Sequence, residues 1–116
     1  MSEPGRLWHV TVTVEGDEVE PRIVSNALLR LKHQRPFLHC LRYAADRAEI
    51  QYWEEATCLL DASSLALRVW DEHRITEGLP HWEVVGLEVL ERHIFRHRGH
   101  DTSGVTNLHD VRPLPF

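Results

Sequence analysis

The chain has 116 residues, enough for one domain and for a core that needs neither disulfides nor a structural metal. A composition of 42% hydrophobic and 27% charged residues excludes wholesale disorder. The net charge of −5 excludes generic nucleic-acid binding, because phosphate repels an acidic surface.

Residues 1–6 are polar, and nothing after them has the apolar length of a leader or of a membrane helix, which takes roughly 18 residues. There are two cysteines, Cys40 and Cys58. The expectation is a cytoplasmic protein with free thiols and no membrane partner. Nine histidines make the net charge sensitive to mild acid.

Residues 7–14 alternate. Trp8, Val10, Val12 and Val14 share one face and His9, Thr11 and Thr13 the other, which is the pattern of a strand buried on one side. Pro21 suits a first helical turn, and Ile23, Val24, Ala27, Leu28 and Leu31 form an apolar stripe that ends before Pro36. Residues 37–54 read as a hairpin turning at Asp46 and Arg47, with Tyr43 opposite Ile50 and Leu41 opposite Tyr52. Asp61 is the expected N-cap of a second helix, with Leu60 and Leu65 as a hydrophobic staple. Its stripe is Ala62, Leu65, Ala66, Val69 and His73, with Trp70 beside it, and Gly78 and Pro80 stop it. Residues 82–90 read as the last strand, with Val85, Leu87 and Val89 facing the helices.

The order strand, helix, strand, strand, helix, strand predicts an α+β sandwich, an antiparallel sheet with both helices on one face. It resembles the ferredoxin-like βαββαβ architecture over about residues 6–93, a resemblance of architecture that implies no function. Residues 1–98 are read as this domain and 99–116 as a C-terminal extension. The extension is expected to dock on the open sheet face, of the same or of a partner subunit, through Val105, Leu108, Val111, Leu114 and Phe116. The expected core is Val10, Val12, Ile23, Leu28, Leu31, Leu41, Ile50, Leu65, Val69, Val85 and Leu87.

The face opposite the helices is the most informative feature. By these parities it carries Leu7, His9, Thr11, Thr13, Leu38, Cys40, Trp53, Val84, Gly86 and Leu90, with Arg42, Glu49, Gln51 and Glu88 among them. So apolar a face suggests an interface or a ligand groove. Residues 92–100 hold three arginines and three histidines, the one strongly basic stretch in an acidic chain, and Arg96 is a candidate anion contact. Strand or irregular structure is expected there.

Familiar uses of the architecture do not fit. Residues 47–53 lack the glycine of an RNA-recognition strand, residues 15–20 are too acidic for a phosphate loop, and two cysteines cannot hold an iron–sulfur cluster. No cofactor and no metal are expected. The reading is a non-catalytic binding or regulatory module. Its binding residues are His9, Cys40, Arg42, Trp53, Val84, Leu90 and Arg96, and its partner is a second copy, another protein or a small-molecule effector. The alternative is a cofactor-independent enzyme with its cleft on the same face and His9, Arg42 or Glu88 as acid–base groups.

Overall fold

The computed structural model describes residues 5–98 and 111–116. In chain order these form β1 (Arg6–Glu15), α1 (Pro21–Gln34), β2 (Leu38–Ala44), β3 (Arg47–Ala56), α2 (Leu59–Glu77), β4 (Glu83–Glu91), α3 (Arg92–His97) and β5 (Leu114–Pro115). The fold is mixed α+β, with three helices and a five-stranded sheet among the described residues. The strand order is β4-β1-β3-β2-β5. The pairings β4–β1, β1–β3 and β3–β2 are antiparallel, and β5 runs parallel to β2.

The alternation in β1 does what it predicts. Val10, Val12 and Val14 pack with Ile50 and Tyr52 of β3 beneath α1 and α2. Both helices lie on this face, α1 through Val24, Ala27, Leu28 and Leu31 and α2 through Ala66, Val69 and Trp70. Pro21 occupies the first turn of α1, where a missing N–H costs nothing. Gly78 ends α2 in the left-handed conformation at φ 70°, which a Cβ would strain, and its N–H caps the carbonyl of Arg74.

Beyond α2, Trp82 stacks on Trp70 with ring centroids 6.2 Å apart. Trp70 donates its indole N–H to the Pro80 carbonyl (3.0 Å) and Trp82 to the Asp17 carbonyl (2.8 Å). Gly16 lies against the Trp82 ring, where a Cβ would collide. These bonds close one end of the core with every buried indole satisfied.

Several expectations are corrected. The hairpin turn is Ala45-Asp46, with Ala44 opposite Arg47, Tyr43 opposite Ala48 and Leu41 opposite Ile50. The expected register is two residues away, and an even slip keeps every side chain on its face. α2 starts at Leu59 with Cys58 as N-cap, so Leu60 is exposed and forms no staple. Asp61 instead accepts a bond from the Thr57 hydroxyl (2.8 Å). Ile23 is 46% exposed because it lies on the outer side of the first turn of α1, and Leu65 is only half-buried.

On β4 the register shifts where Thr13 pairs Gly86 but Val14 pairs Val84. Val85 is the extra, bulged residue and is 49% exposed, while Val84 turns to the helix side and packs on the core. Leu87, on an edge strand, remains 38% exposed. Trp82 precedes the strand instead of opening it.

Residues 92–97 of the basic stretch form α3 where strand or irregular structure is expected, and residues 99–100 lie outside the described residues. The end of the extension does not lie across the sheet face. Residues 114–115 add to the sheet edge beside Arg42 and Tyr43, Phe116 donates its N–H to the Tyr43 carbonyl (3.0 Å), and Val111 packs on the helix-side core. Leu114 and Phe116 stay largely exposed. Val105 and Leu108 lie outside the described residues.

Candidate functional site

The open sheet face is built from the alternate residues of four strands, and α3 lies over one end of it. Beneath α3 the row is Leu90 of β4, His9 of β1 and Trp53 of β3, with Leu7 and Glu55 one row further out. The next is Glu88, Thr11, Gln51 and Cys40, and the third is Gly86, Thr13, Glu49 and Arg42. Arg42 also adjoins Leu114 of β5.

β2 does not continue this pattern regularly. Leu38 pairs Tyr52 while Cys40 pairs Gln51, so His39 is an extra residue. The bulge keeps Leu38 on the helix side, fully buried, and sends His39 toward the open face. There His39 meets His9, with their Nε2 atoms 2.7 Å apart. One ring donates its N–H and the other accepts, so the two must be opposite tautomers at this nitrogen.

His9 is 1% exposed although it sits on the face away from the helices. The cover comes from α3. Phe95, itself 4% exposed, stacks on His9 with centroids 3.9 Å apart. Trp53 stands edge-on to both, 5.0 Å from His9 and 5.1 Å from Phe95, and the His39 ring lies 4.9 Å from His9. Four rings from β1, β2, β3 and α3 thus form one cluster, in the offset and edge-to-face geometries that ring quadrupoles favour. Burial, together with the charge of Lys32, holds the His39 imidazole below the ordinary histidine range, against the opposing effect of a backbone hydrogen bond.

Next to α3, Glu91 accepts from His93 (3.1 Å) and pairs with Arg6 (3.5 Å), while the Arg6 guanidinium lies over the Trp8 ring at 4.7 Å. A cleft of about 310 Å³ opens here between Gly5, Leu7 and Arg92. A second cleft, of about 450 Å³, lies at the far end of β1 and is rimmed by Glu15, Asp17, Asp71 and Glu83 around His81. Among the described residues no group of three or more histidine, cysteine or acidic side chains is arranged to hold a metal.

Residues 7–106 match the family described as a domain of unknown function, DUF8830. The chain belongs to that family. No curated protein matches it. The DUF8830 match spans β1 through α3, and so takes in the whole ring cluster. β5 lies beyond it.

Of the residues expected from sequence, the structure brings His9, Trp53 and Leu90 into one row of the DUF8830 open face and sets Cys40 and Arg42 in the next two. Cys40 is half-buried and Cys58 exposed, and both are free thiols. Val84 is not on this face, because the bulge at Val85 turns it inward. Arg96 is exposed on α3, apart from the ring cluster. Sequence reasoning missed His39 and Phe95. His39 is concealed by the bulge. Phe95 was legible only as the one phenylalanine within a basic stretch.

Proposed function

We propose that this DUF8830 chain is a non-catalytic binding module of the cytoplasm that works through the open face of its sheet, as a homodimer. The observation that carries the reading is the character of that face. Trp53 and Leu90 are half-buried beside a polar floor of Thr11, Gln51 and Cys40, and a solvated sheet face would be more uniformly polar. No helix among the described residues is long and apolar enough to cross a membrane. The two free thiols suit a reducing compartment.

The finer fold reading is a ferredoxin-like split βαβ, with α3 and β5 as additions. It is supported by the order β4-β1-β3-β2, in which each long helix joins two parallel strands that flank a third. In such a sheet one face is free to pair with a second sheet.

Charge supports a second copy as the occupant. Arg42 is on β2 and Glu88 on β4, at opposite sides of the face. A two-fold axis parallel to the strands lays β2 of one copy over β4 of the other and brings Arg42 within one row of Glu88 of the other copy, inside the reach of the long arginine side chain. The face is then self-complementary, as a two-fold interface must be.

Sedimentation velocity tests this. The native chain is expected to sediment as a dimer, Arg42→Glu as a monomer that remains folded, and Arg42→Glu combined with Glu88→Arg as a dimer again. A native chain that stays monomeric at all concentrations, or an Arg42→Glu chain that still dimerises, refutes it.

A further inference from the structure

We propose that the His9–His39 pair is an acid-released latch that holds α3 over the open face, so that mild acid uncovers the part of that face beneath Phe95. The proposal rests on the reading of the open face as the binding surface and adds its regulation.

Two Nε2 atoms 2.7 Å apart have room for a single hydrogen between them. The neutral pair satisfies this with one donor and one acceptor. A first added proton still leaves N–H···N at the contact. A second would set two cationic N–H groups against each other at that distance, so both rings can be fully protonated only when they part. Separated imidazoles take one proton each, and the closed pair takes at most one between the facing nitrogens. The open form therefore binds one proton more in acid. Each such proton raises the opening constant about tenfold per pH unit.

The pair opens on the side of α3. A second cation needs water, and His9 has almost none. Among the described residues its walls are His39, whose ring departs as the pair parts, Trp53, fixed in β3, and Phe95, carried by α3. α3 has six residues, far below the length at which a helix is stable unaided, and Phe95 is its one buried side chain. It is the wall that yields.

Among the described residues, the surrounding charges favour release. From α1, Lys32 is the cation whose field reaches His39. α3 presents the exposed cations Arg92 and Arg96. From β4, Glu91 is occupied by Arg6 and His93, and Glu88 is exposed one row away. β3 offers exposed Glu55 and the neutral Gln51, and β2 adds the Cys40 thiol and the cationic Arg42.

NMR reads the latch directly. In the uniformly ¹⁵N-labelled full chain at pH 7, a ¹⁵N–¹⁵N coupling across the hydrogen bond is expected between Nε2 of His9 and Nε2 of His39, and it disappears in acid. The Arg98 amide bonds the Ile94 carbonyl at 3.1 Å and reports α3. Its exchange, corrected for the intrinsic rate, should accelerate about tenfold per pH unit below the histidine range. His39→Gln keeps a hydrogen-bonding partner that does not titrate, so its Arg98 exchange should lose this slope while the β1 amides stay protected. Arg42→Glu, which separates the copies, should keep the slope, so the latch and the dimer stand or fall separately. No coupling at pH 7, a flat Arg98 profile in the native chain, or an undiminished slope in His39→Gln overturns the proposal.

Discussion

Truncating Phe95 to alanine tests how α3 is held. The side chain is almost fully buried and, among the described residues, contacts two rings, His9 at 3.9 Å and Trp53 at 5.1 Å between centroids. Burial of a phenylalanine contributes about 1.5–3 kcal/mol, and each aromatic pairing about 0.5–1.5 kcal/mol beyond that. Discounted for overlap, Phe95→Ala should cost α3 about 2–4 kcal/mol of docking, a rise of about thirty- to several-hundredfold in its opening constant. Because α3 opens without the core, the loss stays local. Hydrogen exchange at pH 7 should show the Arg98 amide accelerated by that factor while amides of Val10, Val12 and Ile50 keep their protection. Unchanged protection at Arg98 refutes the docking argument. Equal loss in the strands would mean that α3 unfolds with the core as one unit.

Two further outcomes follow from the faces and from burial. Leu41→Ala, at a fully buried site, should destabilise by about 2–5 kcal/mol in urea unfolding, whereas Leu87→Ala on the exposed edge of β4 should cost under about 1 kcal/mol, and equal losses would contradict the β4 register. Glu54, on the helix side of β3, has a carboxyl raised above its usual range by burial first and by Glu72 in addition, with Arg35 opposing. The folded chain then holds that proton more tightly than the unfolded chain, so stability falls as pH rises through the window above the ordinary carboxylate pKa. Glu54→Gln should therefore raise the melting temperature at pH 7 and leave it nearly unchanged at pH 4, and the opposite ordering would show the ionised form to be favoured.

The long elements were legible because their signals are local and periodic. Val10, Val12 and Val14 alternate over a whole strand, and Val24, Ala27, Leu28 and Leu31 recur at helical spacing, so burial of one face follows from spacing alone. Hairpin register was less legible, since Ala-Asp and Asp-Arg turns differ little in chemistry. The error of two residues was harmless to the faces. The bulges were not legible. Nothing local separates a bulged Val85 or His39 from a regular strand residue, and each inverts the parity of what lies beyond it. That is why Val84 and Leu38 were expected on the open face and His39 was not. α3 was missed for a different reason. Six residues carry too little periodicity to outweigh a charge-dense composition, and the helix is held by tertiary contact of Phe95 with His9. The apolar end of the extension was recognised, but a two-residue parallel strand at the sheet edge leaves no pattern in sequence.

The central claim, that the open sheet face is the surface through which two copies meet, is tested most directly by cross-saturation. Deuterated, ¹⁵N-labelled chain is mixed with unlabelled chain, and the unlabelled aliphatic protons are irradiated. The account predicts that amide intensity is lost at Thr11, Cys40, Gln51 and Glu88 and kept along α1 and α2. Intensity lost only along the helices, or nowhere at concentrations where the copies associate, would contradict it.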